Sequence, residues 1–512
     1  MKGGVFLSYI QMFATIIIGL LYTPIMIRLL GKSEYGLYNI VSSIISLLSI
    51  LNLGFNAGYI RYYSKYKKED DQVSISKLNG LFLMVFTIIG IIALFCGLFL
   101  MNHLTLVFDE GLTVEEYKIA KVLMLLLTIN LAVSFPMGVF ANIISAHERF
   151  IFLKGIGIIR TVLGPLVTLP LLLMGYRSIA MVTVTLAINL AVDFIYCFYV
   201  LCILKNKFVF HSFEKGLLKN LFIYTFFIAL HLITDMVNYN IGKILLGRFQ
   251  GTEQVSIYSV GYSLYSYYMT LGLPAVTMFI PKIHSTVETE TDQAQQRDKL
   301  TKIFVDVGNL QYLILAMIFT GLIFFGQPFI KYWAGEGYDK AYFVALLLVL
   351  AGTPDLIQNV GIEIQRAQNK HKFRAWIYLA MAVINIVISI FLCQWYGAVG
   401  AAIGTAISLI LVQGVVINIY LHKKCNLNVV AFWKSILRKS VGLIIPVAVG
   451  AVMMFFVKDP SLFVLLLEIV AYAVIYCVSM WFLGMSKDEK DIVKQMLSKI
   501  FRKRKVAEKI ED

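Results

Sequence analysis

An all-α polytopic membrane protein is the fold class this sequence predicts, with about fourteen transmembrane helices. They are expected as two pseudo-symmetric six-helix bundles followed by two extra C-terminal helices. Three observations predict it. Hydrophobic residues make up 59% of the 512 residues and charged residues only 15%, where soluble domains run at about 45–50% and about 25%. Apolar runs long enough to cross the hydrocarbon recur from end to end. The opening pattern also returns, weakened, about 220 residues later.

That opening runs from Tyr22 to Tyr63. It reads Pro24, then Arg28-Leu29-Leu30-Gly31, then Ser33-Glu34-Tyr35-Gly36-Leu37-Tyr38, and closes through Leu53-Gly54 to Arg61-Tyr62-Tyr63. Its later counterpart is Lys243 to Gly247 followed by Ile257-Tyr258-Ser259-Val260. The copy continues: Gly175-Tyr176 with Thr185 to Ile188 matches Tyr396-Gly397 with Thr405 to Ser408. A six-helix unit restores its own orientation, so the duplication is parallel, about an axis normal to the membrane.

In order, apolar spans fall near residues 5–30, 36–60, 79–101, 117–144, 151–173, 178–204, 218–246, 254–280, 303–326, 341–364, 373–395, 398–421, 437–457 and 462–484. The domains expected are an N-lobe over 1–210 (helices 1–6), a C-lobe over 211–425 (helices 7–12), helices 13–14 over 426–485, and a basic cytoplasmic tail over 486–512. Met1-Lys2 and the apolar run after it imitate a signal peptide, but the run is too long and lacks a small-residue cleavage pattern. It reads as a first membrane helix that is retained.

With the N-terminus inside, roughly 34 of the 45 basic residues fall on the inner side, as the positive-inside rule expects. The loop from Asp109-Glu110 to Glu115-Glu116 is acidic and falls outside. The net charge of +15 therefore reports topology, and no basic soluble domain exists to carry a nucleic-acid partner. In the tail, Ile492, Met496 and Ile500 share one helix face ahead of Arg502 to Lys505. A helix on an anionic inner leaflet and a plain solvated charge run both fit that pattern.

Polar side chains inside lipid must face protein or water. Stripes at helical spacing occur at Ser8, Gln11, Thr15 and Tyr22; at Ser42, Ser46, Ser49 and Asn56; at His231, Asp235, Asn238 and Gly242; and at Ser259, Ser263, Ser266 and Thr270. Hydroxyls can be packing glue between helices as well as the lining of a lumen. Ionisable residues cost more, about 2.5–3.5 kcal/mol each on insertion scales. Asp193, Asp235, Asp355, Glu363 and Arg160 therefore need partners or water, for structure or for function. Glu363 and Arg366, three residues apart, are placed to pair.

The six cysteines (Cys96, Cys197, Cys202, Cys393, Cys425 and Cys477) have neither metal-ligand spacing nor a disulfide framework. There is no Walker loop, no His/Cys metal cluster and no nucleophile elbow. An enzyme is not expected, and no cofactor or certain metal site is indicated.

The residues of the opening motif, with Ile257-Tyr258-Ser259-Val260, resemble the polysaccharide transport family. These are the Wzx-type flippases of the MOP (multidrug/oligosaccharidyl-lipid/polysaccharide, MATE-like) exporter superfamily. The resemblance covers nearly the whole chain. It implies two lobes in a V around a lumen in the cell (inner or plasma) membrane, with both termini cytoplasmic. It also implies alternating-access export of an isoprenoid-diphosphate-linked oligosaccharide, a repeat unit for O-antigen or capsule, with membrane lipids and other polysaccharide-assembly proteins as partners. A multidrug exporter of the same superfamily, a peptidoglycan-precursor (lipid II) flippase and, last, a membrane glycan polymerase are the alternatives.

A diphosphate crossing hydrocarbon needs cations in a wet cavity. Arg28, Arg61, Arg160, Lys243, Arg248 and Arg366 are the candidates, and Tyr258, Tyr262 and Tyr265 are candidates to stack on sugar faces. For ion or proton coupling the candidates are Asp193, Asp235, Glu363, Asn385 and Thr405. Sodium coupling, proton coupling and simple exchange of anionic carriers all remain open.

Overall fold

In a computed structural model the described residues are 2–106, 108, 112–211, 216–272, 276, 279–370, 372–457, 459–487 and 489–491. The expected outer loop at Asp109 and Glu110 lies outside them, as do the tail face of Ile492, Met496 and Ile500 and the run from Arg502 to Lys505.

Helices account for nearly all of what is described, and no strand occurs among those residues. They are α1 (Lys2–Leu30), α2 (Lys32–Leu48), α3 (Phe55–Lys68), α4 (Gln72–Asn102), α5 (Val114–Ala146), α6 (Phe150–Leu173), α7 (Arg177–Phe198), α8 (Leu217–Phe249) and α9 (Thr252–Gly272). After them come α10 (Ile280–Thr289), α11 (Gln293–Ala334), α12 (Asp339–Ile357), α13 (Val360–Ala367), α14 (Lys372–Leu409), α15 (Ile417–Lys423), α16 (Val429–Ser440), α17 (Ile444–Phe456) and α18 (Leu462–Ser479).

Local chemistry explains where several of them begin. At α5, Thr113 Oγ1 accepts from the Glu116 N–H at 3.3 Å while the Glu116 carboxylate accepts from the Thr113 N–H at 2.8 Å. This capping box satisfies two otherwise orphaned donors. Asp71 caps α4 by accepting from the Ser74 N–H at 2.9 Å, and Asn428 caps α16 by accepting from Ala431 N–H at 3.0 Å. Prolines sit inside α1, α5, α6, α11 and α12. Membrane helices tolerate them because neighbours re-satisfy the freed carbonyls.

Among the described residues, eleven helical segments are long and apolar enough to cross a membrane, or twelve if α8, bent by 46° between Phe226 and Ile228, is one span. One of the eleven, Phe373–Lys423, has 51 residues and breaks at Gly397, where φ is 56° and ψ −133°. It has the length of two crossings. α9, expected as a span, is not among them. Tyrosines and serines crowd it, and hydroxyls lower its hydropathy.

The chain forms two compact units. One holds Met1–Leu264, Trp333–Leu348 and Lys372–Ser408; the other holds Tyr265–Tyr332, Val349–His371 and Leu409–Asp512. In the first, α4 packs on α5, α1 on α6, α5 on α7, and α2 on both α5 and α8. Its aromatic core centres on Phe55, whose ring meets Phe82 and Phe86 edge-on at 6.5 and 6.2 Å. Close approach is enforced at Gly36, where a Cβ would overlap the Thr252 carbonyl oxygen, so α2 and α9 touch backbone to backbone. In the second unit, Phe304 stacks on Phe432 at 4.4 Å and Tyr472 fills against Phe325 at 5.3 Å. Phe95, Phe194 and Phe463 are exposed, as lipid-facing side chains are. The chain is a multi-pass membrane protein.

Candidate functional site

Most of the predicted residues fall in the first unit, and they fall into separate groups rather than one. The best-defined group lies along α8, α9 and α14. Lys243, on α8, is 9% exposed, and its ammonium sits 4.7 Å from the Tyr262 ring centroid. Tyr262 in turn stacks on Tyr258 at 6.3 Å with an interplanar angle of 11°. No carboxylate pairs with Lys243 among the described residues. Its compensation is the electron-rich face of tyrosine, a cation–π contact strengthened by desolvation.

Beside it lies a neutral polar knot. Asn385 on α14 donates through Nδ2 to Asn238 Oδ1 at 3.0 Å, and its own Oδ1 accepts from Ser389 at 2.9 Å and from Thr405 at 3.5 Å. All four residues are buried. The sequence-predicted pair Asn385 and Thr405 is thus brought together, with Asn238 and Ser389 added. Asp235 is one helical turn away from Asn238: its Oδ2 is 3.5 Å from His231 Nε2, and it is within electrostatic reach of Tyr262.

A third group surrounds α14's first turns. Arg374 is buried, its guanidinium 4.4 Å over the Tyr378 ring, with Nη2 donating to the Tyr378 hydroxyl. The His231 ring lies 5.2 Å from Tyr378. Sequence reasoning counted Arg374 only among the basic residues that set topology. The signal available was the four-residue spacing of Arg374 and Tyr378, which puts both on one helix face.

The remaining cations are disposed differently. Arg61 is exposed and stacks on Tyr224 at 4.2 Å. Arg160, on α6, is exposed and within electrostatic reach of Asp193 on α7. Arg28, in the last turn of α1, is exposed, as is Arg248, whose guanidinium is 6.0 Å from the Phe249 ring. In the second unit Arg366 pairs with Glu363 at 2.6 Å, as their spacing suggested. Tyr258 and Tyr265 are buried; Tyr265 packs so closely on Gly352 that a Cβ there would overlap its hydroxyl. No group of three or more His, Cys, Asp or Glu residues able to hold a metal occurs among the described residues.

Comparison with known proteins places the fold. Over 93% of this chain and 98% of the other, it superposes on the lipid II flippase MurJ in an inward closed conformation with a TM-score of 0.70 at 16% identity. It also superposes on a multidrug resistance MATE family transporter of the MOP superfamily. The inward-facing form gives a TM-score of 0.57 at 11% identity over 81% of this chain and 99% of that one. The outward-facing form gives 0.56 at 14% identity over 83% and 95%. At such identities the likeness is one of fold, and that fold is MATE-like. No curated protein matches the sequence. The family described as polysaccharide biosynthesis protein matches residues 1–287, more than half of the chain. The chain belongs to that polysaccharide biosynthesis protein family.

Proposed function

We propose that the protein moves an isoprenoid-diphosphate-linked oligosaccharide, a repeat unit of a cell-surface polysaccharide such as O-antigen or capsule, from the inner to the outer leaflet by alternating access. It works in the cell membrane with both termini inside, alongside other polysaccharide-assembly proteins, and transports without covalent catalysis.

The observation that carries this reading is Lys243. A buried ammonium inside an apolar helix, held by a tyrosine face and matched to no carboxylate among the described residues, is costly unless an anion visits it. The cargo of a polysaccharide flippase has such an anion in its diphosphate. A drug exporter for organic cations would be ill served by an uncompensated positive charge at that depth. Arg61 on Tyr224 supplies a second cation–aromatic pair, able to hold phosphate on one side and a sugar face on the other.

The test is outward transfer of the native lipid-linked glycan in cells carrying Lys243→Gln, Lys243→Arg or Arg61→Gln, with membrane expression matched. Lys243→Gln is expected to lower transfer by about tenfold or more, and Lys243→Arg to keep much of it. Undiminished transfer in both Lys243→Gln and Arg61→Gln would remove the cationic-passage reading.

A further inference from the structure

We propose that Arg374, with Tyr378 beside it, is a recognition site for a phosphate-class anion. The inference rests on the flippase reading above and adds a residue and a place to it.

Arg374 is 7% exposed, and of its guanidinium nitrogens only Nη2 is engaged, donating to Tyr378. Nε and Nη1 are both buried and have no hydrogen-bond partner among the described residues. Arginine cannot shed its charge in a protein, so burial cannot be relieved by deprotonation. Nearly every buried polar nitrogen in a folded protein has a partner, and a buried charged one without any stands out further. Tyr378 does not fill this need. Its ring centroid lies 4.4 Å from the guanidinium carbon and its hydroxyl takes only Nη2, which leaves Nε and Nη1 uncommitted.

The titratable group nearest on the neighbouring helix does not fill it either. The His231 ring lies 5.2 Å from the Tyr378 ring, and Asp235 is 3.5 Å from His231. What remains is a planar donor set with rigid backing, the arrangement that suits the oxygens of a phosphate or diphosphate. Lys243 lies twelve residues beyond His231 on α8, about 18 Å along the helix, whereas Arg374 meets Tyr378, whose ring contacts His231. Arg374 is therefore a station distinct from Lys243.

The experiment uses the full chain purified in detergent, with farnesyl diphosphate, inorganic diphosphate and farnesol as probes, followed by calorimetry and by thermal unfolding. Native protein is expected to bind farnesyl diphosphate and to melt higher with it, and to ignore farnesol. Arg374→Gln is expected to weaken that binding about tenfold or more and to lose the probe-induced rise, with Arg374→Lys between the two. Without probe, Arg374→Gln should melt at or above the native protein, because an unmatched buried charge has gone. Farnesyl diphosphate bound much more tightly than inorganic diphosphate identifies a lipid headgroup as the source. Equal binding identifies free phosphate chemistry, and either supports the site. Unchanged probe affinity in Arg374→Gln overturns the assignment and leaves the flippase reading intact. So does a low melting point in Arg374→Gln that Arg374→Lys restores while probe affinity never changes, since Arg374 would then be a structural residue. A native chain that binds neither diphosphate overturns both.

Discussion

Glu34 accepts a hydrogen bond from the backbone N–H of Ser178 at 2.8 Å and a second from its hydroxyl. Its counterpart in the second copy of the repeat, Gln254, accepts from the backbone N–H of Ala398 at 3.1 Å. In each case the acceptor lies 144 residues before the donor. Each bond meets a helix beginning: Ser178 is in the first turn of α7, and Ala398 follows the break at Gly397. The first N–H groups of a helix have no partner of their own, and a side chain from another helix serves as the cap. The same junction is built twice, once with a carboxylate and once with an amide.

The first prediction follows from that difference. Glu34→Gln should fold nearly as well as the native chain, since the amide oxygen accepts as Gln254 does. The ion pair from Glu34 to Arg177 at 3.4 Å involves a side chain that is 65% exposed, so its loss matters little. Glu34→Ala leaves the fully buried Ser178 donors unmatched and should cost about 1–3 kcal/mol. Denaturant unfolding in detergent measures both. Equal losses in the two variants would show that charge, rather than capping, holds this junction.

Much of this was legible beforehand. The repeat was visible in Gly175-Tyr176 against Tyr396-Gly397, and the helices from apolar length alone, because lipid permits little else. The Glu363–Arg366 pair was readable from residue type and spacing, whereas Asn385 and Thr405 came from the family resemblance. What stayed hidden was partnership across helices. Nothing local says that Glu34 reaches Ser178, that Asn385 meets Asn238, or that Arg61 stacks on Tyr224. Arg374 was masked by its neighbours: in a basic stretch with Lys370 and Lys372, one buried guanidinium reads as another topological charge.

The break in α14 gives a second prediction. Gly397 holds φ 56° and ψ −133°, a region nearly closed to residues with a Cβ, and the added atom would press on Gln254 Oε1 at 2.7 Å. Gly397→Ala should therefore cost about 1–3 kcal/mol from the backbone alone, and should disturb the Gln254 cap as well. Gly321→Ala, in open space within α11, is the matched control and should be neutral or stabilising. Indistinguishable melting of the two variants would refute the account of the break.

Asp71 supplies a pH dependence outside the membrane. Hydrogen bonds from the Ser74 side chain and backbone, then from Val73, hold its carboxyl below the ordinary 3.8, with Lys77 adding a smaller pull. A group whose folded pKa is depressed adds stability above its unfolded pKa and loses it as pH falls through the folded one. Asp71→Ala should therefore melt below native protein at pH 7, and the gap should close at acid pH below 3.8. Melting curves of both proteins across that range decide it; a gap constant with pH would mean that the cap acts without its charge.

Ion coupling yields the last prediction. Oxygen atoms for a cation would have to come from Asn238, Asn385, Ser389 and Thr405, yet Asn385 Oδ1 is already taken by two hydroxyls and Asn238 Oδ1 by the Asn385 amide. None of the four carries charge, and a bare cation at membrane depth needs a countercharge as well as ligands. Asp235, the nearest carboxylate on α8, is engaged with His231 instead. Opening the knot for sodium would break three internal hydrogen bonds without gaining a formal charge. Outward transfer of the glycan should thus be unchanged when sodium is replaced by potassium, in native protein and in Asp235→Asn alike. A rate that falls on sodium removal in the native chain but not in Asp235→Asn would show that Asp235 swings away from His231 to complete a cation seat.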